Sequence, residues 1–236
     1  MACGSKPKLR IQAEDSPQSV LNAYCSYFGS HRSLALKGTF SAISVEVVDC
    51  NFEAFYASPD SFNFIAKSGF GIDLARAVLV GDSGFIEIPK RGTFEKFGKN
   101  DVIYLDEISM RIDLGNFFRS LFFFTTDCQF VFNGQDSESY HYLGQFAGGD
   151  IELVLAREDG LPLRQHIIRK KDTLHINYAK WYKFAGGLIY PREILAASNQ
   201  TLNHFRFQIS RSKADIDIPK FMFESKLANI GVGRSY

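Results

Sequence analysis

Two periodicities divide the chain. From Ser16 to Gly29, the apolar residues Val20, Leu21, Tyr24, Tyr27 and Phe28 recur every three or four positions and share one stripe of a helix. Ser16 suits the N-cap, Pro17 the first helical position and Gly29 the stop. From residue 37 the period becomes two. Ile43, Val45 and Val47 alternate with Ser44 and Glu46, and Phe62, Phe64 and Ala66 with Asn63 and Ile65. The same alternation returns at Leu174, Ile176 and Tyr178, and at Phe205, Phe207 and Ile209. Half-buried antiparallel strands give this pattern. Turn signals at Ser58-Pro59-Asp60, Gly81-Asp82-Ser83-Gly84, Lys90-Arg91-Gly92, Asp159-Gly160 and Gly186-Gly187 separate about ten or eleven strands.

One segment breaks the alternation. Asp113-Leu114-Gly115-Asn116 leads into Phe117-Phe118-Arg119-Ser120-Leu121-Phe122-Phe123-Phe124. Asp113 suits a cap and Thr125-Thr126-Asp127 a stop, so the pattern predicts a helix over 113–125. Such a helix is apolar on nearly all sides, and must be buried widely or face a hydrophobic ligand. A buried strand is the rival reading, because short apolar runs have no decisive period. Residues 4–15 are polar and aperiodic. The predicted organisation is therefore a tether over 1–15 and a single domain over 16–236, mainly β with some helix (α+β).

Composition agrees with strands. Phe (23) and Tyr (10) are abundant against a single Trp, and both suit a pleated, half-buried surface. The net charge of +1 hides an asymmetry. Residues 1–156 carry 13 Lys/Arg against 19 Asp/Glu, and residues 157–236 carry 14 against 7. Two halves that neutralise one another in the folded chain account for this, and an electrostatic docking face is the alternative. No dense basic stripe or RNP-type aromatic motif speaks for a nucleic-acid partner. The basic run Arg164–Lys171 reads as a strand ending in a solvated turn, with contact to anionic head groups as the alternative.

Catalytic signatures are missing from the sequence: there is no GxSxG elbow, HExxH, P-loop or GxGxxG opening a βαβ unit. The neighbours Asp106 and Glu107 point to opposite faces of a strand. His31, His141, His166, His175 and His204 are scattered, and Cys3, Cys25, Cys50 and Cys128 lack metal-ligand spacing. The chain is expected to be no enzyme and to use no cofactor or metal. Cys25, Cys50 and Cys128 read as buried structural thiols; a Cys25–Cys50 disulfide is the alternative in an oxidising compartment.

Two resemblances sharpen this reading. Ala2-Cys3-Gly4-Ser5 resembles the end of a bacterial lipobox, which would make Cys3 a lipid anchor, with Met1 standing where a signal peptide was removed. The order of features over residues 17–225 is similar to the LolA/LolB-like superfamily. It runs from an amphipathic helix through the hairpin Gly69–Ser83, the apolar segment at 113–125 and the Asp159-Gly160-Leu161-Pro162 turn to the aromatic strand Tyr178–Phe184 and Gly187–Ile194. Residues 72–83 are close to a "GIE-ARxLIT-DS"-like segment of an uncharacterised lipoprotein branch, with Asp73 for its Glu and Val80-Gly81 for its Ile-Thr.

The resemblance implies a curved antiparallel half-barrel, with the N-terminal helix and a central apolar helix covering its concave side. It implies an envelope lipoprotein, at the outer membrane and facing the periplasm, whose partners are a lipid or an acylated protein and the membrane surface through its anchor. Phe117, Phe118, Leu121, Phe122 and Phe124 are then expected as lid or plug, and Ile43, Val45, Val47, Phe62, Phe64, Tyr178 and Phe207 as cavity wall. A dry packed core explains the same residues. LolB's exposed hydrophobic loop has no identifiable counterpart in the sequence. The alternatives are a scaffold lipoprotein that binds partner proteins without a ligand, and a hydrolase with a scattered site.

Overall fold

The computed structural model describes residues 7–12, 15–43, 47–57, 60–98, 101–105, 110–113, 118, 121–122, 129–146, 149–169, 172–198 and 204–224. Ser16 caps the one long helix among them, α1 (Pro17–Gly29), its side chain accepting from the Ser19 N–H at 3.2 Å. The expected stripe is the buried face: Val20, Leu21, Tyr24 and Phe28.

Fifteen strands follow among the described residues. They are β1 (Ser33–Ile43), β2 (Val47–Ala57), β3 (Ser61–Lys67), β4 (Asp73–Val80), β5 (Ser83–Ile88), β6 (Thr93–Gly98), β7 (Val102–Leu105) and β8 (Met110–Asp113). The second group is β9 (Phe130–Gln135), β10 (Ser139–Phe146), β11 (Gly149–Ala156), β12 (Pro162–Arg169), β13 (Asp172–Lys183), β14 (Ile189–Ser198) and β15 (His204–Ala214). Thirteen form one open antiparallel sheet in the order β6-β5-β4-β3-β2-β1-β15-β14-β13-β12-β11-β10-β9, and β7 and β8 pair separately. Each half is a meander of hairpins. Among the described residues, the halves are joined in the sheet where β1 pairs with β15, from Leu34↔Ala214 to Ile43↔His204.

Three expectations need correction. The strand count is higher than ten or eleven, because short hairpins with few alternating residues escape a periodicity count. Ile43 and Val47 are not on one strand: β1 ends at Ile43, β2 begins at Val47, and the two residues face each other across the hairpin. The helix expected over 113–125 does not match those bounds: Asp113 is the last residue of β8, opposite Val102, and 114–117 lie outside the described residues. Helical backbone is described only at Phe118 and Leu121, where the Phe122 N–H donates to the Phe118 carbonyl at 2.8 Å.

One face of the sheet carries the core, including Leu36, Phe52, Phe64, Leu79, Tyr142, Leu153, Ile176 and Phe207. The outer face is polar and laced by cross-strand ion pairs, such as Glu53 with Lys37 (2.7 Å) and Lys67 (3.1 Å). An exception lies over β3–β5, where the 3-10 turn Lys220–Phe223 folds back. There Arg76 and Glu87, 3% and 2% exposed, pair at 3.3 Å, and Arg76 also donates to the Met222 and Glu224 carbonyls. Within the expected tether, Leu9 and Ile11 are core residues, and the Leu9 N–H donates to the Asp159 carbonyl at 2.9 Å.

Gly38 sits at the junction of the two meanders, beside the register shift between Lys37 and Gly38. A Cβ there would stand 1.9 Å from the Gln208 carbonyl oxygen, so only glycine lets β1 and β15 approach this closely. Gly38→Ala is expected to destabilise the fold by about 2–3 kcal/mol in urea unfolding. An unchanged midpoint would show that the junction is not tightly packed.

Candidate functional site

The inner face is the candidate site, and its wall is aromatic. Phe52 and Phe64 stack at 5.5 Å, Phe40 meets Phe64 at 5.6 Å and Phe207 at 5.1 Å, and Tyr56 meets Phe62 at 5.3 Å. The turn at Phe118–Phe122 seats on this wall. Phe118 stacks on Phe62 at 5.4 Å, and Phe122 lies 5.8 Å from Phe62 and 5.9 Å from Tyr56. Phe118, Leu121 and Phe122 are at most 1% exposed. From the other wall, the Tyr190 hydroxyl donates to the Leu121 carbonyl. That carbonyl belongs to the end of a helical turn and needs an outside donor.

This pair of contacts measures the curvature. Phe62 is on β3 and Tyr190 on β14, four places apart in the sheet order, or about 19 Å across a flat sheet. One short turn touches both because the sheet curls around it.

The structure brings together Phe62, Phe64, Tyr178, Phe207, Phe118, Leu121 and Phe122, all on the inner side and all buried. Ile43 and Val47 have described backbone only, and Cys3, Val45, Phe117 and Phe124 lie outside the described residues. Hydrophobic periodicity missed a polar island in this wall. Gln165, 2% exposed, accepts from the Tyr178 hydroxyl at 3.1 Å, and its amide faces the Tyr24 oxygen from the donating side, which lowers that phenol's pKa against the larger effect of burial. The Gln165 Nε2 makes no well-formed hydrogen bond, so the amide donor is only partly matched. Burial raises the phenols of Tyr24, Tyr178 and Tyr190 well above their ordinary range, so all three stay protonated donors. Gln165 lay hidden in the basic run because Arg164, His166 and Ile168 face outward while Gln165 and Ile167 face inward.

The β3–β4 turn closes with the Gly71 N–H on the Ser68 carbonyl (2.9 Å), Gly71 having φ 82°. It presents Phe70, 96% exposed, and Ile72, 66% exposed. In the alternating sheet this tip lies at the end opposite the β11–β12 turn that holds Leu9.

These geometries have relatives among solved structures. A DUF1329 family protein from Desulfovibrio piger superposes with a TM-score of 0.63 at 11% identity, over 89% of this chain and 98% of that one. A LolA superfamily protein from Nitrosomonas europaea gives 0.58 at 9% identity, over 89% and 98%. The fold is that of the LolA superfamily. A domain from Vibrio parahaemolyticus, provisionally named for outer membrane lipoprotein sorting, shares this LolA-like fold at 0.60 and 9% identity, over 93% and 99%. No family model and no curated protein sequence matches the chain.

On the outer face of the LolA-like sheet, Ser139, His141 and Glu152 have the spacing of a nucleophile, base and orienting acid. Ser139 Oγ is 3.2 Å from His141 Nε2, and His141 Nδ1 is 3.1 Å from Glu152 Oε1. However, Asp136 Oδ2 also lies 3.1 Å from His141 Nε2 and accepts from Ser139 Oγ at 2.8 Å. A carboxylate at each ring nitrogen favours the imidazolium form, and in that form the ring cannot take a proton from serine. The bond to Asp136, then that to Glu152, raises the His141 pKa despite partial burial. A raised folded-state pKa adds stability that is complete below the ordinary value of about 6.5 and lost as pH climbs through the raised value. Neighbouring His166 is shifted down, chiefly by desolvation, so its effect falls below that window. Unfolding free energies of the wild type should therefore decline between pH 6.5 and the raised value, and His141→Gln should abolish that decline. An identical slope in both proteins would contradict the imidazolium assignment.

Proposed function

We propose that this chain is an envelope lipoprotein that holds an acyl chain against the inner face of its half-barrel, and hands it on without chemical change. The turn at Phe118–Phe122 is the plug that the guest replaces. The observation carrying this reading is the seating of that turn. Three fully buried side chains rest on apolar walls, and one described side-chain hydrogen bond, from Tyr190, holds the backbone between them. Hydrophobic contacts of this kind have no directional requirement, and each methylene of a guest gains about 0.8 kcal/mol on burial. A long acyl chain can therefore offset the loss of the plug's contacts. The walls then comprise Phe62, Phe64, Tyr178 and Phe207, with Ile43, Val45 and Val47 at the hairpin end, and Phe117 and Phe124 extend the plug.

The LolA-like fold supports a carrier or receptor of lipids or acylated proteins, in line with the sorting role named for the Vibrio parahaemolyticus domain. An oxidising compartment is supported by Cys25, which is disulfide-bonded. Cys50 is a free thiol, with burial pushing its pKa up to about 11, so the Cys25–Cys50 pairing is not formed. An anchor on Cys3 requires that Cys25 pair with Cys128, the remaining cysteine. The six residues from Cys3 to Leu9 span at most about 20 Å. The anchored membrane then lies at the end bearing Leu9, and the Phe70 tip points away from it, toward a donor or acceptor of the guest.

Organic extraction of protein purified from a bacterial envelope, followed by mass spectrometry, tests the reading. Acyl lipid is expected from the wild type and is lost from Leu121→Asp/Phe122→Asp. An empty extract from a folded wild type would refute it. Phe70→Asp should leave stability within about 0.5 kcal/mol of wild type, as exposed sites do, and should slow transfer of fluorescent acyl lipid to vesicles. Unchanged transfer would remove the tip from the account. Non-reducing peptide mapping should find Cys25 joined to Cys128; a Cys3–Cys25 bridge would exclude the anchor.

A further inference from the structure

We propose that the cleft between residues 8–10, the end of α1 and the β13–β14 turn binds the headgroup of an anionic phospholipid. This site is separate from the inner face and from the plug on it. The cleft has a volume of about 560 Å³, within the range of roughly 300–1,000 Å³ usual for small-ligand sites. Local structure builds it. The Leu9 N–H on the Asp159 carbonyl pins the N-terminal segment, and Leu9 is buried, which leaves Lys8 and Arg10 exposed on either side of it. Across the cleft, Gly186 and Gly187, with φ 86° and 89°, turn the chain from β13 to β14. The stem of Lys183 lies over that turn: a Cβ at Gly187 would stand 3.7 Å from its Cε. Leu9, Ala23 and Ile189 contribute apolar lining between these cations.

The charged groups are of one sign. Lys8, Arg10 and Lys183 line the cleft, and among the described residues no Asp or Glu does. None of the three has an ion-pair partner among the described residues. The Tyr27 hydroxyl accepts from the Ile189 N–H at 2.6 Å, and its own proton has no acceptor among the described residues. Ser26 adds a hydroxyl at the cleft wall, whereas that of Ser30 is spent on the Tyr27 carbonyl at 2.8 Å. Cations and hydroxyl donors set around apolar lining suit an amphipathic anion. A free phosphate would use the cations and leave the apolar lining in water. A phospholipid headgroup uses both, its phosphate meeting the cations and its glycerol and first methylenes the lining. This is also the end of the domain at which an anchor on Cys3 would hold the membrane, although the chemistry of the cleft stands without that anchor.

The test uses the full chain carrying Cys3→Ser, which cannot be acylated, and co-sedimentation with phosphatidylcholine vesicles made with or without phosphatidylglycerol. Binding is expected with the anionic lipid only, and added inorganic phosphate at matched ionic strength should not displace it. Removing one cation beside an anionic surface weakens binding about five-fold. Lys183→Gln should show that factor, and Lys8→Gln/Arg10→Gln/Lys183→Gln a loss of about a hundred-fold. Ser26→Trp keeps every charge but fills the cleft, and should also weaken binding. Lys96→Gln makes the same charge change on the distant edge strand β6 and should leave binding unchanged. Thermal unfolding checks that these exposed substitutions leave the fold intact. Equal binding to both vesicles, full binding by Ser26→Trp, or an equal loss in Lys96→Gln and Lys183→Gln overturns the proposal, since a diffuse basic surface would then suffice. Displacement by inorganic phosphate would assign the cleft to a free anion and overturn the lipid. None of these outcomes bears on the acyl extract that tests the plug.

Discussion

An open sheet that is apolar on one side has to be covered. The β1–β15 pairing joins two meanders into thirteen strands, and the edges β6 and β9 never meet. Closing into a barrel would fill the interior with the sheet's own side chains. Staying open leaves an inner face wider than one helix can shield. α1 covers the half made by the later strands: its N-terminal end is held by Tyr142, whose hydroxyl donates to the Pro17 carbonyl at 2.7 Å, and Phe28 packs against Trp181. The other half, around Tyr56 and Phe62, is met by the turn at Phe118–Phe122. The first cover is a capped helix of 13 residues, and the second is described at Phe118, Leu121 and Phe122.

The second cover links fold to the proposed function. Its described side chains make mainly apolar contacts, which a molecule of similar surface can replace. The aromatic wall gives affinity without discrimination, and Gln165 with the Tyr178 hydroxyl sets a polar group into it. The outer face takes no part in this. Its ion pairs and the Asp136–His141–Glu152 array tie neighbouring strands together, and the Lys220–Phe223 turn covers the buried Arg76–Glu87 pair.

Much of the fold was legible in the sequence, because local rules sufficed. Ser16-Pro17 and the stripe from Val20 to Phe28 specify α1, and alternation at Phe205, Phe207 and Ile209 specifies β15. Reading failed where the meaning of a residue depends on distant chain. The alternation of Ile43, Val45 and Val47 runs across a hairpin, since period two does not register a reversal. Asp113, expected to open a helix, is the last residue of β8, and its sequence neighbourhood does not signal that strand. Asn63 and Ile65, expected to face solvent, are buried by the returning segment near Met222, which donates no signal to β3's own pattern. Gln165 was masked by its charged neighbours, and Phe70 by its place in a motif that looked structural. The candidate wall and plug were recoverable as residue types; that they enclose a polar island was not.

Hydrogen exchange at the Phe122 amide reports most directly on whether the turn is a replaceable stopper. That N–H is bonded to the Phe118 carbonyl, so it exchanges only when the turn opens. On addition of monopalmitoylglycerol, the account predicts faster exchange at Phe122 together with slower exchange along β2, β3 and β14. Exchange at Phe122 that stays as slow as that of the sheet, with lipid bound or absent, would mean that the turn is permanent core, and that the inner face holds nothing but the protein's own side chains.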